Sequence, residues 1–140
     1  MSAAAIKPGA LMSVSLTTDA VRARRKTVTR RMGWRKLAEG DRLQLCVKVM
    51  GRRKGEPLEK ICTVEVVHVS RVRLDTITPA EVAREGLWER AVAEVGPGDP
   101  ATVDRLACEW FVRFFCASHK GCEPSSIVTR IEWRYLDGPT

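Results

Sequence analysis

Apolar positions recur along this chain with two different periods. Over 42–50, Leu43, Leu45, Val47 and Val49 alternate with polar residues, which is the pattern of a strand with one buried face. Across 60–74, Ile61, Thr63, Glu65, Val67 and Val69 alternate with Cys62, Val64, Val66 and His68. The Gly- and Lys-rich connection at 51–57 makes these two runs a hairpin with a long basic tip. A short apolar run at 10–16 predicts a buried strand, and 126–136 predicts a last one, with Ile127, Thr129, Ile131, Trp133 and Tyr135 on one face. Residues 137–140 read as a tail.

Elsewhere the spacing changes to three and four. Val103, Leu106, Ala107, Trp110, Phe111, Phe114 and Phe115 recur on one side of a helix that must face a core. Thr78-Pro79-Ala80-Glu81 is a helix start: Thr78 as N-cap, Pro79 at the first helical position, Glu81 closing a capping box, with Gly86 as the stop. Thr17 or Thr18 caps an earlier helix to about Arg25, with Asp19 in its first turn. Four strands and two or three helices that do not alternate predict an α+β fold. We expect one domain over 1–140, a mixed curled or barrel-like sheet with helices packed at its ends.

Charge adds a second layer. Lys plus Arg is 24 and Asp plus Glu is 17, a formal net charge of +7, and it is unevenly spread. Residues 22–36 hold eight basic residues and no acid, and Arg52-Arg53-Lys54 forms a second cluster. Two such patches suit RNA, DNA or a nucleotide better than a membrane, although charge alone fits a solvated basic helix end as well. No apolar run reaches bilayer length, and the first residues lack a charged segment followed by a long apolar one. The five cysteines form no CxxC pair, so reduced thiols and a cytoplasmic setting are expected.

The candidate chemistry lies in Arg24-Arg25-Lys26-Thr27-Val28-Thr29-Arg30-Arg31. Lys26 and Thr29 stand three apart and share a face on a helical or turn-like backbone. An amine beside a hydroxyl is a base and its nucleophile, provided the amine is neutral, and burial and neighbouring cations favour the neutral form. The competing readings are a phosphate-contact lysine and a turn hydroxyl. Cys116-x-x-His119-x-x-Cys122, with Cys108 upstream, has the composition of a zinc site without the paired spacing; buried thiols and a helix-end histidine, with no metal, are expected. His68 reads as a core or sheet-face residue. Trp34 either stacks a base or plugs the barrel mouth. Arg52 and Arg53 are phosphate contacts or a charged loop.

The strand at 10–16, the segment Arg25-Lys26-Thr27-Val28-Thr29-Arg30-Arg31 and then Gly40-Asp41-Arg42-Leu43 resemble the opening of ASCH-domain proteins, relatives of the PUA and YTH RNA-binding folds. That family's signature is Gly-x-Lys-x-x-x-x-Arg; Lys26 and Arg31 hold the Lys and Arg places, and Arg24 stands where Gly is usual. Leu74 through Gly86 is similar to the helix after the central hairpin in small bacterial ASCH amidohydrolases that cleave N4-acetylcytidine, and Val128-Thr129-Arg130-Ile131-Glu132-Trp133 looks like a family ending. The resemblance implies a PUA-like fold and a catalytic set of Lys26, Thr29 and Glu85. It also implies a modified cytosine nucleoside or nucleotide as substrate; the clustered charge without acids predicts a nucleic-acid- or substrate-binding surface at Arg30, Arg31, Trp34, Arg52 and Arg53, and no cofactor is expected. For Glu85 the competing reading is a solvated residue in a helix's last turn. A non-catalytic RNA- or DNA-binding module and a ribonuclease-like activity are the other functions such a domain suggests. The chain is longer than the small amidohydrolases, chiefly over 91–122 and in the hairpin tip, so substrate choice differs if the excess reaches the site.

Overall fold

Strand alternation builds the sheet as expected, and burial on both faces hides part of it from a periodicity reading. In the computed structural model, which describes residues 9–137, the strands are β1 (Ala10–Ser13), β2 (Val28–Arg31), β3 (Arg42–Cys46), β4 (Lys60–Arg73) and β5 (Ile127–Tyr135). The helices are α1 (Thr18–Arg22), α2 (Pro79–Arg84), α3 (Trp88–Val95) and α4 (Pro100–Ala117). The sheet order is β1-β3-β4-β5-β2, with β1 parallel to β3 and every other pair antiparallel. This is the expected α+β architecture: a curled mixed sheet with helices packed against it. The tail beyond 137 lies outside the described residues.

The β3–β4 hairpin forms, and Leu43, Leu45, Val64 and Val66 are fully buried. Its β3 arm ends at Cys46 rather than near 50. The register shifts between Val66 and His68, so the simple alternation fails there and His68 lies on an exposed sheet face rather than in the core. β1 stops at Ser13, short of 16. α1 is a short helix ending at Arg22; the Thr17 side chain makes no cap bond, and the Thr18 hydroxyl donates to Val14 O at 3.2 Å.

β2 is the main departure. The basic run forms a strand rather than a helix or turn, pairing with β5 through Thr29 opposite Ile131 and Arg30 opposite Arg130. α3 was also not expected from the spacing. Two cores result. One, inside the curl, joins Met12, Val21, Leu43, Leu45, Val66 and Trp133. The other binds the helices to the sheet through Leu74, Val82, Phe111, Phe115 and Val128. α4 begins behind an Asp99 cap, whose carboxylate accepts from Thr102 N at 3.1 Å. Its stripe is only partly enclosed: Phe111, Ala107 and Phe115 are buried, whereas Val103, Leu106, Trp110 and Phe114 are half-buried. Among the described residues, no helix is long and apolar enough to cross a membrane.

Candidate functional site

Lys26 is placed by its backbone. Its carbonyl accepts from Trp133 Nε1 at 3.0 Å and from the Tyr135 hydroxyl. Burial pushes the Tyr135 phenol up to about 12, so it stays a donor. Arg24, two residues earlier, has φ +62°, the left-handed conformation that glycine adopts most readily, at the place where the resemblance expects Gly. On the other side, Gly86 follows the C-cap of α2 with φ +83°; a Cβ there would stand 2.7 Å from Ala20 Cβ and 3.3 Å from Lys26 Cβ. Only a glycine lets α2 and its C-cap, Glu85, approach Lys26 this closely.

Lys26, Thr29 and Glu85 are brought together at one cleft, and each is about 3% exposed. Lys26 Nζ donates to Glu85 O at 2.7 Å and Glu85 Oε1 at 3.1 Å. Glu85 is therefore a buried partner of Lys26, and not the solvated helix-end residue of the competing reading. Burial is the largest influence on Lys26 and lowers its pKa; Glu85 opposes this, and Arg31 and Arg30 reinforce it. A neutral amine carries two hydrogens, and Glu85 supplies two acceptors, which leaves the lone pair without a protein partner.

Strand alternation puts Thr29 and Arg31 on one face of β2. Arg31 Nε donates to Thr29 Oγ1 at 3.1 Å and Arg31 Nη2 to Ser13 O at 2.8 Å. Among the described residues Arg31 has no carboxylate in direct contact; Glu85 acts on its charge only at longer range. Arg30 faces the other way, opposite Arg130. Two like charges across a strand pair repel. Glu81 resolves this by accepting from Arg30 Nη2 at 2.8 Å and Arg130 Nε at 2.6 Å, while Arg30 Nη1 donates to Glu85 Oε2 at 3.1 Å. The Glu81 carboxylate is therefore committed to these arginines rather than to a capping box; only the Thr78 half of that box forms, accepting from Glu81 N at 3.3 Å. The two guanidinium partners hold Glu81 at about 2.

The cleft has a volume of about 270 Å³, near the small end of ligand pockets. It is lined by Lys26, Thr29, Arg30 and Arg31 and by an apolar set, Leu87, Phe111, Phe114 and Phe115. Lys26 and Arg30 are buried and paired, so the basic run is not a bare cationic surface. Trp34, with φ +62°, packs half-buried against the first core and is not among the cleft residues. Arg52 and Arg53 are exposed at the hairpin tip, also away from the cleft. Cys116 and Cys122 approach to 2.9 Å as free thiols, and His119 turns its Nδ1 to Phe115 O at 2.8 Å. Cys108 lines a separate hollow beside Ile77. Sequence reasoning missed Arg31 as the partner of Thr29, the Glu81 clamp, and the aromatic wall. The four-residue spacing of Phe111, Phe115 and His119 was the available signal for that wall.

No family model matches the chain, and comparison with curated proteins finds no match. Among solved structures, the chain is similar to protein EF3133 from Enterococcus faecalis V583, of family model DUF984, at 12% identity and a TM-score of 0.53, over 94% of this chain and 82% of that one. It is also similar to an ASCH domain from Lactobacillus crispatus JV V101, at 13% identity and a TM-score of 0.48, over 90% and 79%. The Enterococcus likeness shows the fold, and the ASCH-domain resemblance read from the sequence is in keeping with it at that level.

Proposed function

We propose that the chain is an amidohydrolase that removes the acyl group from an N4-acylated cytosine nucleoside or nucleotide. The observation that carries this is the convergence of a buried, pKa-depressed Lys26 with Thr29 and Glu85 on one small cleft. Lys26 serves as the base, and Glu85 orients it through both acceptors. Arg31 takes one lone pair of the Thr29 oxygen, so the hydroxyl hydrogen is left to donate toward Lys26, directly once substrate closes the gap or over one water. The Thr29 oxygen bonds to the acyl carbon as its proton passes to Lys26. The carbon–N4 bond then breaks and N4 takes that proton, leaving an acyl ester on Thr29. Water attacks the ester, its proton passes through Lys26 to the departing threonine oxygen, and the acid is released. The net change is one amide and one water to one amine and one acid. Arg31 stabilises negative charge on the threonine oxygen during both steps. The cleft's size suits a single base with a short acyl arm better than a folded polymer.

The experiment is incubation with N4-acetylcytidine and its deoxy analogue. Cytidine, or deoxycytidine, and acetate should appear in equal amounts. A second reading, a nucleic-acid-binding module, is favoured by the exposed Arg52 and Arg53. On that reading RNA or DNA binds without turnover, and affinity falls steeply with salt as counterions are released.

A further inference from the structure

The apolar wall of the cleft is organised. Phe111, Phe115 and His119 recur every four residues along α4 and just past its end. Their rings form one column: Phe111 and Phe115 have centroids 6.3 Å apart at 24°, and Phe115 and His119 4.1 Å apart at 16°. Phe111 and Phe115 are buried, so the base of the column is fixed by the core. His119 is its half-buried end and lines the cleft with the two phenylalanines.

The tautomer of His119 follows from its partner. Nδ1 lies 2.8 Å from Phe115 O, and a carbonyl can only accept, so Nδ1 carries the hydrogen and Nε2 the lone pair in the neutral ring. Among the described residues, Nε2 has no hydrogen-bond partner and the ring face away from Phe115 has no stacking partner. A flat ring is held rigidly at a cleft, with one face and one polar edge unused.

We infer that His119 is a substrate-binding residue: it stacks the pyrimidine ring of the substrate, prolonging the column by one ring, while the acyl arm reaches across to Thr29. The inference rests on the cytosine reading above. It makes the turn that follows α4, within the chain's excess over 91–122, the segment that selects a planar heteroaromatic ring. Stacking of a base on a preformed aromatic platform costs little ordering, because the platform is already fixed.

Calorimetric titration of cytidine, the product, tests the stacking without requiring turnover. Cytidine should bind the parent protein; His119→Ala should weaken binding roughly tenfold, and His119→Phe, which keeps the flat face, should stay within about threefold of the parent. Proton NMR of the unaltered protein is the companion measurement: the His119 ring protons should move upfield as cytidine is added. Unchanged affinity in His119→Ala, no ring-proton shift, or no cytidine binding by the parent would overturn the inference. Binding with the expected losses but no hydrolysis of N4-acetylcytidine would sink the amidohydrolase reading and leave the stacking role standing.

Discussion

At the residue scale, the proposed reaction turns on three side chains whose roles depend on one another. Lys26 can act as base only when neutral, so kcat/KM should rise with pH along its acid limb as Lys26 loses its proton. Glu85 raises the Lys26 pKa against the effect of burial. Glu85→Gln removes that charge and should move the acid limb to lower pH, while lowering the maximum because the amine is less firmly oriented. A pH–rate profile of the two proteins checks the direction; a limb that stays put counts against Lys26 as the base. Lys26→Ala and Thr29→Ala should each lower kcat/KM by about 10²–10⁴-fold, the double variant being little worse than either, and Thr29→Ser should retain part of the activity. The residue types were legible in the sequence because they match a known pattern. Their surroundings were not: Arg30 is chemically as polar as Arg31, yet it is buried because Glu81 and Glu85, both distant in sequence, accept from its guanidinium.

At the element scale, the elements that follow one clear period were readable and those with mixed demands were not. The hairpin, the Pro79 helix start and the α4 stripe announced themselves. β2 did not, because both of its faces are buried and carry Thr29 on one side and ion-paired Arg30 on the other, which breaks any apolar alternation. His68 is a sheet-face rather than a core residue because the register shift in β4 changes phase after Val66. Two element junctions carry predictions. Gly86→Ala forces a left-handed φ on alanine and sets its Cβ against Ala20 and Lys26. It should cost at least about 1 kcal/mol of stability and lower activity through displaced Lys26, as read by denaturant unfolding and turnover together. Phe111→Ala empties the centre of the helix–sheet core and should cost about 3–5 kcal/mol by the same unfolding measurement.

At the scale of the whole molecule, the charged network ties α2 to β2 and β5, so folding stability is linked to pH. Glu81 titrates at about 2 in the folded chain against 4.5 ordinarily. A carboxyl whose folded pKa is depressed stabilises the fold above its unfolded pKa and loses that contribution as pH falls through the folded value. Stability should therefore fall between about pH 4.5 and pH 2, and Glu81→Gln should be less stable at neutral pH with a flatter decline across that window. A parallel decline in both proteins contradicts the linkage. The net charge of +7 pointed correctly to a concentration of arginines but not to its use, since many of them hold the protein's own carboxylates. The sheet, its two cores and this network place Thr29 and Lys26 on one cleft; on the proposed reading the central claim is acyl transfer to Thr29. The most direct measurement is rapid quenching of the protein with N4-acetylcytidine, followed by mass spectrometry of its peptides. The account predicts a transient acetyl group on the peptide carrying Thr29, formed as cytidine is released and absent in Thr29→Ala; cytidine release by Thr29→Ala at the parent's rate, with no acetylated peptide in either protein, would contradict it.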